Sequence, residues 1–175
     1  MKELLFTDPH FKHRKLVEWG KRPDGFEMLI KESWEQANSD DVIYCLGDVC
    51  LGDKVKAHEE YVKPMPGYKI LILGNHDKEK PQWYLEHGWD EVHHKLMLKR
   101  PWRVLLTHKP QVDDGSFDIN IHGHFHNDSH RAKEPHYLAI KSPKHRLLAL
   151  ECVQYKLVSL QDFIDGKIEQ PGLPV

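Results

Sequence analysis

The chain has 175 residues, a length that favours one domain over residues 1–175 with a sizeable core. Its 25 Lys and Arg residues against 27 Asp and Glu residues give a formal charge of -2. This balance disfavours non-specific nucleic-acid binding over a broad surface but leaves room for a local basic groove. The N-terminus lacks the apolar stretch of a secretory signal, and no run reaches membrane-spanning length, so we expect a cytoplasmic protein without a membrane partner.

Five short runs rich in Val, Ile and Leu predict buried strands. They lie at residues 4–6, 42–46, 70–73, 104–106 and 119–121. Segments with helical spacing or helix boundaries predict helices at 11–19, 26–37, 54–62 and around 83–85. The first half of the chain therefore follows the order β-α-β-α-β.

The second half is predicted to be mostly β. Residues 92–98 and 102–107 flank Lys99-Arg100-Pro101 and suggest a hairpin. Later short runs lie at 118–121, 137–140, 147–152 and 155–158, followed by a helical turn at 160–164 and an irregular tail at 170–175. This order predicts the α/β class, as a four-layer α-β-β-α sandwich with two packed mixed sheets and helices outside.

Each of the five strands is followed at once, or within a few residues, by side chains that bind hard metal ions. In chain order they are Asp8 and His10, then Asp48, then Asn75 with His76 and Asp77, then His108, and finally His124 and His126. The carboxyl ends of neighbouring parallel strands converge on one crevice, so residues distant in sequence can meet there. This recurrence is typical of a two-metal hydrolase.

The spacing within two of these clusters has geometric consequences. In an extended segment, Asp8 and His10 place their side chains on the same side, where both can reach one ion. His124 and His126 have the same spacing, although a curl of the backbone at a strand end could send the two imidazoles to different ions.

Gly47 and Gly74 each follow an apolar run, which lets the backbone turn sharply and bring the next polar side chains toward a ligand. The carboxylate of Asp48 could use both oxygens and bridge two ions about 3.5–4 Å apart. Cys50 lies two residues further on, but we do not count it as a ligand because the surrounding set is rich in oxygen.

The chain resembles the calcineurin-like metallophosphoesterases. The matching motifs, in the order of that family, are Asp8-Pro9-His10, Gly47-Asp48, Gly74-Asn75-His76-Asp77, His108 and Gly123-His124-Phe125-His126. The match spans nearly the whole chain. It looks most like the small single-domain phosphoesterases of prokaryotic or phage type.

The resemblance implies two divalent metal ions, with Mn²⁺ as the first expectation and Fe²⁺ or Zn²⁺ as alternatives. It assigns Asp8, His10 and His126 to one ion, Asn75, His108 and His124 to the other, and Asp48 to the bridge between them. In the mechanism of the family, a bridging hydroxide attacks phosphorus in line. The equivalent of His76 protonates the departing oxygen, and Asp77 orients that imidazole.

One departure from the family bears on the substrate. Its protein phosphatases carry an arginine after the second motif, whereas Asp48 is followed by Val49-Cys50-Leu51-Gly52. This difference disfavours a protein phosphatase and favours a phosphodiester as the substrate.

We therefore expect a phosphodiesterase or broad-specificity phosphatase acting on a small molecule or nucleotide, with His13 and Arg22 as weaker candidates for substrate contact. The alternatives are an inactive metal-binding docking scaffold and a nuclease acting on single strands or ends, although the net charge does not favour nucleic acid.

Overall fold

The structure, a computed structural model, describes residues 1–19, 21–127, 142–168 and 170. The predicted strand at 137–140 and most of the predicted tail lie outside these residues. In chain order the elements are β1 (Glu3–Phe6), α1 (Lys15–Glu18), α2 (Phe26–Trp34), β2 (Val42–Cys45), α3 (Lys54–Tyr61), β3 (Tyr68–Ile72), α4 (Pro81–Glu86), β4 (Glu91–His93), β5 (Leu96–Lys99), β6 (Arg103–Thr107), β7 (Ile119–His122), β8 (His145–Leu147), a 3-10 turn (Leu150–Val153), β9 (Val158–Ser159) and α5 (Leu160–Ile164).

The first sheet has five strands in the order β4-β3-β2-β1-β9. Strands β1 to β4 pair in parallel, and β9 pairs antiparallel to β1. The predicted β-α-β-α-β order of the first half is confirmed, with α2 and α3 as the crossover helices. Because β1, β2 and β3 are parallel neighbours, their carboxyl ends lie at one edge of the sheet.

Within the described residues, the second sheet has four strands in the order β5-β6-β7-β8. Strands β6, β7 and β8 are parallel, whereas β5 pairs antiparallel to β6 through the predicted hairpin. The prediction of a single strand over 92–98 is wrong. Its first part is β4, which pairs with β3 in the first sheet, and its second part is β5, so the chain crosses between the sheets at His94 and Lys95.

The core has two layers of buried side chains. One face of the first sheet packs against the helices, with Phe26, Ile30 and Trp34 of α2 spaced four residues apart on one helix face. The opposite face packs against the second sheet, where Leu5 and Ile72 share a cluster with Leu106. The predicted α/β sandwich of two packed mixed sheets is therefore confirmed. Helix α5 packs on β1 and β9, so a helical layer outside the second sheet stays a prediction.

Two other elements differ from the sequence prediction. The helix expected over 11–19 is limited to Lys15–Glu18, because His10 and Lys12 before it have left-handed φ angles of +47° and +65° that no α-helix accommodates. The strand expected over 147–152 is the end of β8 followed by the 3-10 turn. Within the described ranges, no helix is both long and apolar enough to cross a membrane.

Candidate metal centre

The first group of candidate ligands joins the ends of β1 and β7. Asp8 and His10 follow β1, His126 follows β7, and one ligand atom from each lies within 4.8 Å of the others. His10 Nε2 and His126 Nε2 each lie 3.8 Å from Asp8 Oδ1. The two imidazole rings stack with centroids 5.2 Å apart. Two nitrogens and one carboxylate oxygen therefore face a common point, in a set that suits a divalent transition metal.

The second group joins the ends of β2, β3, β6 and β7. Asp48, His108 and His124 offer ligand atoms within 4.8 Å of one another. His108 Nε2 lies 3.4 Å from Asp48 Oδ2 and 3.2 Å from His124 Nδ1. Asn75 Oδ1 lies 2.9 Å from His108 Nε2, so the amide joins the same cluster. The histidines His124 and His126 thus belong to different groups, as the alternative based on backbone curl predicts.

Asp48 lies between the two groups. Its Oδ2 atom is 3.9 Å from His10 Nε2 on one side and 3.4 Å from His108 Nε2 on the other. Its Oδ1 atom accepts a hydrogen bond of 2.8 Å from the backbone N–H of His76. The structure thus brings together all seven side chains that the sequence predicts as ligands, with the carboxylate of Asp48 in the central place.

The backbone at these residues is unusual. Left-handed φ angles occur at eight described non-glycine residues, and five of these are candidate ligands, namely Asp8, His10, Asp48, His124 and His126. Each such conformation costs about 1 kcal/mol or more. The expectation that Asp8 and His10 share one side of an extended segment is therefore wrong in its geometry, because a left-handed curl brings the two side chains together. Backbone strain concentrated at one cluster is a mark of a functional site.

Gly123 allows the loops after β1 and β7 to approach. A side-chain carbon at this position would collide with Thr7 Oγ1 and Asp8 Oδ2. In the space that the glycine leaves, Asp8 Oδ2 accepts hydrogen bonds from Thr7 Oγ1 at 2.6 Å and from the backbone N–H of His124 at 2.9 Å. Asp8 Oδ2 is thus held by protein donors, which leaves the other oxygen facing His10 and His126.

The electrostatics of the cluster fit a bound cation. Asp8 Oδ1 is buried and has no hydrogen-bond partner among the described residues, a costly arrangement that a positive ion would relieve. Burial lowers the pKa of His10 well below its ordinary value, and the nearby His126 lowers it further. His10 is therefore neutral at pH 7 and can offer a lone pair to a metal.

Asp48 and His108 form a coupled pair. Burial alone would raise the pKa of Asp48, but the hydrogen bond and the charge of His108 hold that pKa well below its ordinary value. Burial would likewise lower the pKa of His108, yet Asp48 and Asp8 raise it to about 9. His108 Nδ1 donates to the carbonyl of Leu46 at 2.8 Å, which orients the ring with Nε2 toward the cluster.

His76 and Asp77 play different parts. His76 Nε2 lies 3.9 Å from Asp48 Oδ2 and belongs to neither ligand group. The carboxylate of Asp77 accepts from the backbone N–H groups of Asp48, Val49 and Gly74 at 2.7, 3.1 and 2.8 Å. Asp77 therefore joins the loops after β2 and β3, a structural role that the sequence did not predict. Its orientation of the His76 ring stays a prediction.

The two weaker candidates for substrate contact lie in different surroundings, and the role of His13 stays a prediction. The ring of His13 lies 5.9 Å from that of His10, and His13 lines a cavity of about 330 Å³ together with Arg14 and Glu27. Arg22 is buried, with 4% of its surface exposed, and donates to Glu151 Oε1 at 2.9 Å. Its contact with substrate phosphate is not supported, because protein acceptors already engage the guanidinium.

Glu151 is a residue that sequence reasoning missed. Its Oε1 atom lies 3.1 Å from Nδ1 of His126. Burial alone would raise the pKa of Glu151, but His126 and Arg22 lower it below its ordinary value. The available signal was a single carboxylate in the apolar run 147–153, where an unpaired charge would be costly.

Two cavities are lined by residues of the candidate site. One of about 190 Å³ lies beside His76 and is lined in part by Lys54, Lys78 and Trp83. Another of about 250 Å³ lies beside Asn75 and His108 and includes Lys109.

Comparison with other proteins supports the fold. No protein-family model matches the chain. The Gene 66 protein of Mycobacterium phage D29 is 29% identical over 160 residues, which cover 72% of this chain and 79% of that protein. The Gene 66 protein of Mycobacterium phage L5 is 28% identical over 162 residues, covering 72% and 78%. The crystal structure of a protein of unknown function, AQ665 from Aquifex aeolicus, matches with a TM-score of 0.71 and 25% identity over 95% of this chain and 99% of that one.

Proposed function

We propose that the chain is a binuclear metal-dependent phosphohydrolase of the calcineurin-like type, acting as a phosphodiesterase or as a phosphatase of broad specificity. One observation carries the proposal. Two groups of buried or half-buried His and Asp residues, drawn from the ends of both sheets, face each other across the carboxylate of Asp48. A purely structural fold has no need for five strained residues around such a cluster.

The residues present fit two divalent ions. Asp8, His10 and His126 would hold the first, Asn75, His108 and His124 the second, and Asp48 would contact both. This mixture of carboxylate, amide and imidazole, without a thiolate, suits Mn²⁺ first and Fe²⁺ or Zn²⁺ as alternatives. Such ions would supply Lewis-acid activation of a phosphate ester and of the attacking water.

The residues of the chain supply the rest of the reaction. His76 stands beside Asp48 with 42% of its side chain exposed, where its ring can give a proton to a departing alkoxide. Asp77 holds the backbone of Asp48 and Gly74 in one arrangement. The cavities beside His76 and beside Asn75 and His108 offer space for the ester substituents of a phosphodiester.

The proposal is tested by metal analysis of the purified protein together with a substrate screen. The screen covers phosphomonoesters, phosphodiesters, cyclic nucleotides and short oligonucleotides, each with Mn²⁺, Fe²⁺ or Zn²⁺. We expect about two ions per chain and turnover of an activated phosphodiester. The variant Asp48→Asn should lose turnover by at least about 100-fold, since loss of a ligand costs more than loss of a residue that supports one. The exposed Asp114→Asn is the matched control and should keep wild-type turnover.

Three results would overturn the proposal or narrow it. A protein loaded with two ions that leaves every ester intact would be a docking scaffold instead of an enzyme. Cleavage of oligonucleotides alone, with binding that weakens steeply as salt rises, would identify a nuclease. Wild-type turnover by Asp48→Asn would disprove the central place of this carboxylate. The cytoplasmic location expected from the N-terminal sequence stays a prediction.

A further inference from the structure

A buried ion pair lies directly behind the first ligand group. Arg22 Nη2 is 2.8 Å and Arg22 Nε is 2.9 Å from Glu151 Oε1, and the two side chains are 1% and 7% exposed. Burying two charges is expensive, and replacing such a pair by apolar residues is often neutral for stability. Stability alone therefore does not account for this pair, and its contacts indicate another role.

Glu151 contacts the ligand His126. Its Oε1 atom lies 3.1 Å from His126 Nδ1, and Arg22 Nη2 lies at the same distance from that nitrogen. An arginine can only donate a hydrogen bond, and an ionised carboxylate can only accept one. His126 Nδ1 can therefore bond to Glu151 only when it carries the ring proton, and to Arg22 only when it does not. Arg22 Nη2 already has an acceptor for each of its two protons, Glu151 Oε1 at 2.8 Å and the carbonyl of Asp8 at 2.9 Å. His126 Nδ1 therefore pairs with Glu151 when it carries the ring proton, and Nε2, the atom that faces Asp8 Oδ1, then keeps its lone pair. The contact with Glu151 thus favours the tautomer that can bind a metal.

Arg22 reaches the other side of the same group. Its Nη1 atom donates to the carbonyl of Pro9 at 3.0 Å, and its Nη2 atom donates to the carbonyl of Asp8 at 2.9 Å. These carbonyls belong to the segment in which Asp8 and His10 have left-handed φ angles of +49° and +47°. The fork of one guanidinium therefore holds the strained loop after β1 and, through Glu151, the histidine of the loop after β7.

We propose that Arg22 and Glu151 are positioning residues that assemble the ligand group Asp8, His10 and His126. The inference rests on the proposed function only in taking this group to be a metal site. Loss of the pair should weaken the first metal site and leave the group of Asp48, His108 and His124 able to bind its ion. The weakening should be about 10- to 100-fold in the dissociation constant, the usual effect of removing a group that supports a metal ligand.

The experiment is a Mn²⁺ titration of metal-free protein followed by calorimetry and by electron paramagnetic resonance. Wild-type protein should bind two ions and show the spectrum of a coupled pair. Glu151→Leu should bind one ion with unchanged affinity and the second about 10- to 100-fold more weakly, with the spectrum of an isolated Mn²⁺ at intermediate loading. Glu151→Gln keeps an acceptor for His126 Nδ1, so it should recover part of the loss.

Two further variants separate positioning from folding. Glu151→Leu leaves Arg22 unpaired and could unfold the protein, so the double variant Arg22→Met with Glu151→Leu replaces the whole pair by apolar side chains. The double variant should fold, and it should bind the ion of the group Asp8, His10 and His126 weakly while the other site keeps its affinity. The control is Arg103→Ala with Asp118→Ala, which removes an exposed ion pair of 2.7 Å and should bind both ions as wild type does.

The outcomes distinguish the inference from the function. Two ions bound with wild-type affinity by the folded double variant would overturn the inference while leaving the phosphohydrolase intact. Equal weakening of both sites would also contradict it, since a general loss of structure would explain that result. A wild-type protein that binds two ions without hydrolysing any ester would disprove the proposed function. The effect of Arg22 and Glu151 on metal affinity would still be measured by the same titration. A wild-type protein that binds no ion would overturn both.

Discussion

His76 is set apart from the histidines beside it by its access to solvent. Its side chain is 42% exposed, whereas those of His10 and His108 are 5% and 4% exposed. Its backbone N–H is fixed by Asp48 Oδ1, so the ring stands next to the cluster without belonging to either ligand group. This position suits proton transfer to a group that leaves toward the cavity beside His76.

The first residue-scale prediction concerns His76→Ala. We expect this variant to keep both metal ions and to lose about 10²- to 10⁴-fold in kcat/KM toward esters with poor leaving groups, because an alkoxide of high pKa needs a proton to depart. Esters with good leaving groups should lose much less. The measurement is kcat/KM for a series of aryl and alkyl phosphodiesters, together with metal content. His93→Ala on β4 is the control and should keep wild-type kcat/KM. Equal losses by His76→Ala along the whole series of esters would show that His76 is not the general acid.

At the same scale, the sequence predicted which side chains gather at the candidate site better than it predicted the residues that support them. Asp48 and His108 follow strong apolar runs, so the sheet edge that gathers them could be anticipated. Arg22 could not be placed, because a surface arginine and a buried arginine look alike until its acceptors are known. Its partners are the carbonyls of Asp8 and Pro9 and a carboxylate 129 positions away, and no local pattern encodes contacts of that separation.

The loops after β1 and β7 are the elements that join the two sheets at the candidate site. Thr7 and Asp8 belong to the first loop, and Gly123 and His124 belong to the second. Gly123 is packed so closely against Thr7 and Asp8 that any side chain must push the loops apart. The separation of these two loops therefore controls both the fold and the first ligand group.

Gly123→Ala tests this element-scale coupling. We expect a loss of about 1–3 kcal/mol in the free energy of unfolding, the usual cost of overpacking a rigid site, together with weaker binding of Mn²⁺. The measurements are urea denaturation and metal titration. Gly115→Ala is the control, because a side-chain carbon there meets nothing within 4 Å and only the φ angle of +80° opposes it. Unchanged metal binding by Gly123→Ala would show that the loops move without disturbing the ligands.

The existence of the strands was predictable, but their partners were not. Short apolar runs mark β1, β2, β3, β6 and β7 because buried parallel strands need apolar side chains on both faces. The segment 92–98 looked like one strand for the same reason, yet β4 and β5 pair in different sheets. Apolar periodicity fixes which side chains are buried and carries no information on the strand beside them.

At the scale of the whole molecule, the two sheets share one core, whereas the helices cover a second core on the far side of the first sheet. The second core holds a polar side chain that the catalytic proposal does not use. His58 of α3 is fully buried among the rings of Trp83, Tyr84 and Trp89, with centroids 4.9, 5.8 and 6.5 Å away. Its Nδ1 atom donates to the carbonyl of Lys54 at 2.8 Å, and its Nε2 atom is buried with no hydrogen-bond partner in the part of the chain that the structure describes.

This histidine should make the stability of the whole fold depend on pH. Burial, with smaller effects of His87 and Lys63, lowers the pKa of His58 to about 4 in the folded protein. The unfolded chain, with an ordinary pKa of about 6.5, then binds the proton more readily. The contribution of neutral His58 to stability is therefore complete above about pH 6.5 and is lost as pH falls toward 4.

The test compares wild-type protein with His58→Leu. Between pH 7.5 and 5.5, the free energy of unfolding of the wild-type protein should fall by roughly 1 kcal/mol more than that of His58→Leu. Urea denaturation across this range measures the difference. Val55→Leu on the exposed face of α3 should follow the wild-type profile, and parallel profiles for wild type and His58→Leu would show that His58 does not titrate differently on folding.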